Sequence, residues 1–166
     1  MTDDDALTLC AFQEAAAEID DGVAAIARVV LNRIRLKYAS DGTVQGTVFK
    51  PAQFSWTQFA MVDGKYEKVA HDPEHVEARA QFLLLTAKRQ VKPWARVTAI
   101  VRAVQAGTYR GIFYDRLTDD AVLYVNPEIV ARQSWEIPAN QICTIGHHVF
   151  YRDPPHSGPA SHALAA

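Results

Sequence analysis

The sequence predicts a mainly helical α+β domain, and three observations carry that reading. Apolar residues recur at helical spacing through the first two-thirds of the chain. Asp, Pro and Gly punctuate those stretches where helices start and stop. From Tyr109 onward the composition turns aromatic and β-branched, which calls for a few short strands. With 166 residues, 49% hydrophobic and 22% charged, one chain of this kind can build a core without metals or disulfides. The expected division is one folded domain over 1–152 and a tail over 153–166. That tail is rich in Pro, Ser, His and Ala and reads as disordered.

The first helix is expected over 3–18, capped by Thr2 or Asp3, with acids in the first turn where the helix dipole favours them. Its interior is apolar nearly all round, from Ala6 and Leu7 through Phe12 to Ala17. Such a helix belongs at the centre of a domain. Glu14 falls on the same stripe as Leu7 and Ala11, so a carboxyl is placed where water is scarce. The run Ile19-Asp20-Asp21-Gly22 breaks the chain and offers an N-cap. A second helix then runs to about Lys37, with Val23, Ile26, Ala27, Val30, Leu31 and Ile34 on its apolar face and Arg28, Arg33 and Arg35 away from it.

Residues 39–66 carry turns at Ser40-Asp41-Gly42, Lys50-Pro51 and Asp63-Gly64, and periodicity does not decide what lies between them. Asp72-Pro73-Glu74 starts a third long helix, with Val76, Ala80, Leu83, Leu84, Ala87 and Val91 as its buried face. A fourth spans about 95–106 and stops at Gly107. No internal repeat is present.

Charge and cysteine usage narrow the function classes. A formal net charge of -2 gives no whole-molecule attraction to nucleic acid. Arg28, Arg33, Arg35 and Lys37, then Lys88, Arg89, Lys92 and Arg96, form local basic groups that offer attraction to an anionic polymer. Cys10 and Cys143 match no metal or redox spacing, and Cys10 reads as a small packed hydrophobe. The opening Met-Thr-Asp-Asp-Asp is the reverse of a basic signal-peptide start, and no apolar run approaches the ~18 residues that span a bilayer. The expectation is a protein made in the cytoplasm and not inserted in a membrane.

Three groups of residues could carry chemistry. Glu14, if kept dry, would hold its proton near neutral pH and serve as a general acid. The alternative for Glu14 is an ion pair with Arg28, Arg33 or another base. Glu18 would repel it if the helix continues, and so tunes the acid, caps the next helix or lies in solvent. Gln53, Phe54, Ser55 and Trp56 combine amide, hydroxyl and aromatic groups, which suit sugar rings with apolar faces and hydroxyl edges, or else form an ordinary anchored loop. Tyr124, Asn126, Trp135 and the segment from Ile145 to Phe150 form the third group. There, His148 either hydrogen-bonds a substrate or catalytic water, or is a satisfied structural histidine. His71 and His75, with His147 or His148, allow a zinc reading. Pro73 leaves His71 outside the helix, though, and the spacing is not that of a helical two-histidine zinc motif, so no metal or cofactor is expected.

These residues resemble the SleB-type cell wall hydrolases, the spore-cortex-lytic group. The likeness rests on Phe12-Gln13-Glu14-Ala15-Ala16-Ala17-Glu18, the helix from Val23 ending Val-Val-Leu-Asn-Arg at Arg33, and Gln53-Phe54-Ser55. Tyr124-Val125-Asn126-Pro127, Trp135 and Ile145-Gly146-x-His148-x-Phe150 follow in the family's order, so it covers about 7–151. It implies a lysozyme-like domain related to lytic transglycosylases, with Glu14 as the catalytic glutamate and Glu18 as the motif's second. Gln53, Phe54, Ser55, Tyr124, Asn126, Trp135 and His148 then bind substrate. Two departures stand out: Ala17 replaces the family's glycine, so the turn must be made elsewhere, for instance at Gly22, and the stretch 59–94 looks longer than usual.

The resemblance implies cleavage of peptidoglycan glycan strands between N-acetylmuramic acid and N-acetylglucosamine, by a monomer, with Glu14 as acid and base of a lytic transglycosylase. Hydrolysis by a muramidase is the alternative and needs a second carboxylate, for which Glu18, Asp63, Glu67, Asp72 and Asp115 all qualify. A zinc amidase or peptidase and a non-catalytic wall-binding or virion protein are the readings from other classes. The expected route to the wall is that of a phage lysin, released from the cytoplasm or carried on a virion.

Overall fold

The computed structural model describes residues 1–51, 53–62, 65–68 and 72–153. The tail expected after Asp153, and also Asp63 and His71, lie outside the described residues.

Helix α1 (Asp3–Ala15) starts at Thr2, whose hydroxyl accepts the Asp5 N–H at 3.1 Å, with Asp3, Asp4 and Asp5 in its first turn. Leu7, Leu9, Cys10 and Ala11 have no exposed surface, and Phe12 and Ala15 are buried with them. Burial on every side is achieved because α2 (Asp20–Leu36), α3 (Val44–Val48), α4 (Pro73–Arg89) and α5 (Val91–Gln105) all pack against α1. Hydrophobic residues all round α1 thus have one solution, the middle of a helical layer. Truncating Leu7 or Leu9 to Ala there would cost about 2–5 kcal/mol.

Two short antiparallel units complete the fold. β1 (Phe59–Val62) pairs with β2 (Lys65–Lys68), and β3 (Ala121–Val125), β4 (Gln141–Ile145) and β5 (His148–Arg152) form a sheet in the order β3-β5-β4. The sheet is fixed to the helices by the end of α2. Asn32 Nδ2 donates to the Ala121 carbonyl at 3.0 Å and Arg33 Nε to that of Val122 at 2.7 Å. Those carbonyls lie at the start of β3, so the Leu-Asn-Arg sequence is a clamp between helix and strand. Arg33, expected to face outward, is only 4% exposed.

Three other expectations need correcting. α1 ends at Ala15, not at residue 18, because the guanidinium of Arg96 on α5 takes the Ala16 and Glu18 carbonyls at 3.1 and 2.7 Å and satisfies the helix end from outside. The turn is not made at Gly22 either, since Gly22 is buried inside α2. α4 ends at Arg89 with Gln90 as its cap, so Val91 opens α5 and is 72% exposed instead of buried. Cys10 and Cys143 are free thiols, Cys10 fully buried in α1. Among the described residues no helix is long and apolar enough to cross a membrane.

The basic groups are largely engaged within the chain. Arg28 pairs with Asp119, Lys88 with Asp5 at 2.9 Å, and Arg96 with Asp20 at 2.7 Å. They offer an anionic polymer less than their number suggests.

Candidate active site

A cleft of about 800 Å³ opens beside the C-terminal end of α1. Glu14, Glu18, Gln53, Phe54, Ser55, Tyr124, Asn126, Trp135 and His148 all line it, so the three groups singled out in the sequence converge on one place. Gln13, Arg33, Trp56, Gln58, Ile129, Val130 and Gln133 line it as well. Trp56 belongs to a segment already read as sugar-like, whereas Arg33 was hidden because a charged residue at a helix edge is normally solvated. Gln58, Ile129, Val130 and Gln133 carry no pattern that would have marked them.

Glu14 sits in the last turn of α1, partly buried, with its remaining surface on the cleft. Burial raises its carboxyl above the usual range. Two weaker influences oppose that: the Tyr124 hydroxyl donates to Oε2 at 2.9 Å, and the Arg33 guanidinium lies near enough to favour the charge. Desolvation wins because the helix supplies only apolar neighbours on its other sides. Glu14 makes no ion pair with Arg28 or Arg33; Arg33 is instead held by Val122 and by Gln53 Oε1, the latter at 3.2 Å from Nη1.

The Gln-Phe-Ser segment is placed by that same arginine. Its guanidinium lies over the Phe54 ring at 5.4 Å, and Phe54 is only 2% exposed. Phe54 is therefore the anchor that presents Gln53 and the exposed Ser55 to the cleft. Trp56 packs edge-on to Phe49 at 6.1 Å beneath it. On the sheet side, Trp135 packs edge-on to Tyr151 at 5.4 Å, and Asn126 Oδ1 accepts the Glu128 N–H at 3.0 Å, bending the loop after β3.

Glu18 lies outside helical spacing with Glu14 because α1 has already ended. Its side chain is 10% exposed and accepts from His147 twice, from Nδ1 at 2.8 Å and from the backbone N–H at 3.3 Å. This contact raises the His147 imidazole above its usual range. His148 is buried, and burial holds its imidazole below the usual range.

Among the described residues, Glu14 and Glu18 are the carboxylates on this cleft. Asp115 lines a separate pocket, Asp72 caps α4, and Asp63 and the Glu67 side chain are outside the described residues. No group of three His, Cys, Asp or Glu side chains suited to a metal occurs among the described residues; His75 pairs with Asp72 at 3.2 Å, away from the cleft lining.

A mainly helical layer around a buried central helix, with a small sheet closing a cleft over that helix's end, is a lysozyme-like fold. The catalytic domain of the germination-specific lytic transglycosylase SleB from Bacillus anthracis shares this fold, with a TM-score of 0.56 over 90% of this chain and 93% of that chain at 22% identity. The model of the cell wall hydrolase family matches residues 17–151, and the chain belongs to that family. The matched span contains Glu18, the Leu-Asn-Arg clamp, Gln53-Phe54-Ser55 and His148, and Glu14 stands three residues before it. No curated protein sequence matches the chain. The class is thus that of enzymes that degrade the peptidoglycan wall.

Proposed function

We propose that the chain cuts peptidoglycan glycan strands between N-acetylmuramic acid and N-acetylglucosamine by lytic transglycosylase chemistry, with Glu14 as the general acid. The observation that carries this reading is a carboxyl with its proton affinity raised by burial, at the edge of a cleft sized for several sugar rings. Protonated Glu14 donates to the glycosidic oxygen as oxocarbenium character develops at the muramyl C1. In the single-glutamate form of the reaction the carboxylate left behind takes the proton of the muramyl C6 hydroxyl, which closes a 1,6-anhydro ring. Gln53, Ser55, Tyr124, Asn126, Trp135 and His148 supply hydrogen bonds and ring faces to the glycan, and no cofactor takes part.

The transglycosylase route is favoured over hydrolysis because Glu18, the second carboxylate of the cleft, is enclosed and held by His147, a poor setting for a nucleophile. The enzyme acts as a monomer, reaching the wall after release from the cytoplasm or from a virion.

Mass spectrometry of muropeptides from digested sacculi tests the reading. Anhydro-muramyl ends are expected; reducing muramic ends would make it a muramidase, and free stem peptides an amidase. Glu14→Gln is expected to abolish lysis with the circular dichroism spectrum unchanged. A folded Glu14→Gln protein with near-normal activity would overturn the assignment.

A further inference from the structure

Arg33 is a buried cation that the proton transfers do not use. It is 4% exposed, sits in the last turn of α2 and lines the cleft. Burying a guanidinium is costly unless an anion stands beside it. Yet its contacts are neutral. Nε donates to the Val122 carbonyl at 2.7 Å, Nη1 donates to Gln53 Oε1 at 3.2 Å, and the guanidinium lies over the Phe54 ring at 5.4 Å. Among the described residues no carboxylate bonds to it. Burial accordingly pulls its proton affinity below the ordinary arginine range.

The titratable groups that weigh most on that charge are Tyr124 from β3, Tyr38 from the turn after α2, and Cys10 and Glu14 from α1. Burial pushes both phenols and the thiol up, away from neutrality, so those three stay uncharged. Glu14 is the member of the set that becomes an anion during turnover. Two of the others bracket it: the Tyr124 hydroxyl donates to Oε2 at 2.9 Å, and Cys10 stands one turn earlier on α1. The other charges near this end of α1 are already matched, Glu18 by His147 and Arg96 by Asp20.

We propose that Arg33 is a positioning residue of the reaction, a counter-charge set into the cleft wall in advance and matched only once Glu14 has given its proton away. This rests on the glycan-cleaving reading above and leaves both proton transfers with Glu14. In the resting enzyme Glu14 is protonated and Arg33 has no anion. The muramyl C1–O bond then breaks and the leaving oxygen takes the proton. Carboxylate and guanidinium now attract each other in a site of low dielectric. When the muramyl C6 oxygen bonds to C1, its proton returns to Glu14 and the attraction is gone. An attraction absent at the start and present along the reaction speeds chemistry instead of merely tightening binding. The neutral acceptors serve this end, because a carboxylate in place of Gln53 would match the charge permanently. They also fix the amide: a guanidinium has only donors, so Gln53 turns its oxygen to Arg33.

The test is the pH dependence of glycan release from purified sacculi by the wild type, Arg33→Lys and Arg33→Gln. A single glutamate must be protonated to act, so its alkaline limb reports the Glu14 carboxyl. Both variants lose the forked clamp on Val122 and Gln53, but only Arg33→Gln loses the charge. Arg33→Gln is expected to slow release about 10-fold and to move the limb to higher pH, since the Tyr124 hydroxyl alone then favours the carboxylate. Arg33→Lys is expected to keep the limb at its wild-type position even where stability falls. Should either variant fail to fold, Gln53→Glu and Gln53→Met decide, because both keep the arginine. Gln53→Glu matches the charge permanently and moves the limb to higher pH. Gln53→Met loses a glycan contact and slows release with the limb in place. A limb at one position in Arg33→Lys and Arg33→Gln, or in Gln53→Glu and Gln53→Met, would overturn the proposal. Wild type releasing no glycan fragments would sink the glycan-cleaving reading itself, whereas fragments released with a limb indifferent to these charges sink only the counter-charge.

Discussion

The last turn of α1 and the turn that follows it carry glutamates four residues apart on one cleft, in opposite settings. Glu14 projects from a helix packed on its other sides by apolar residues, and desolvation dominates its proton affinity over one phenolic hydrogen bond. Glu18 projects from a bend whose carbonyls are collected by Arg96, and both of its oxygens accept from His147. Had α1 run on to residue 18 as the alanines invite, the two would be helical neighbours one turn apart, repelling each other when both are ionised. Ending the helix at Ala15 gives each carboxylate its own partners, so neighbouring residues of one type can hold different tasks.

Short of removing the acid itself, Tyr124→Phe breaks that contrast from the Glu14 side with the largest expected effect. The hydroxyl favours the charged carboxylate, so its loss raises the affinity of Glu14 for its proton further. Activity should fall about 10- to 100-fold, or about 1.4–2.7 kcal/mol of transition-state stabilisation, because the acid is less well aimed and gives up its proton less readily. The alkaline limb of the pH–rate profile should move to higher pH. A limb that stays put would mean that it reports some group other than Glu14.

How much of this arrangement the sequence discloses depends on the range of the cause. The burial of α1 is legible because it is written in the helix itself, from Ala6 to Ala15, which has hardly any polar side to expose. The convergence of Gln53, Tyr124, Trp135 and His148 is legible only through the order of short motifs; no residue among them carries the geometry alone. The end of α1 is not legible, because its cap comes from Arg96, 80 residues from Ala16, while no Gly or Pro marks the spot. Arg33 is misread for a similar reason. Its acceptors are the Val122 carbonyl and Gln53, both distant in sequence, so a buried cation looks like a surface one until the sheet is in place.

Gly146→Ala probes the Glu18 side, with a smaller effect. An alanine at φ +58° costs about 1–2 kcal/mol of backbone strain. Its Cβ also displaces the Glu18 carboxylate from His147. Denaturant melts should show the stability loss, and histidine NMR titration should show the His147 imidazole falling back toward its ordinary range, since the Glu18 contact is what raises it. A His147 titration identical to wild type would show that Glu18 does not depend on the space Gly146 leaves.

The smallest expected effect separates the two glutamates by sign. Glu14 binds its proton more tightly in the folded state than in the unfolded chain, so between those two affinities the native state holds a proton that the unfolded state has lost. Stability therefore falls as pH rises through that window, and the loss is complete above it. Gln cannot ionise, so Glu14→Gln should match wild type at about pH 4 and be more stable at about pH 7.5, by about 0.5–2 kcal/mol, the usual gain when a functional strain is removed. Urea melts at the two pH values measure it, and equal stability at both would mean the Glu14 carboxyl is well hydrated. The same exchange at Glu18 should bring no gain. Both of its oxygens accept from N–H donors of His147, and the amide nitrogen of glutamine would turn one of those contacts into donor against donor.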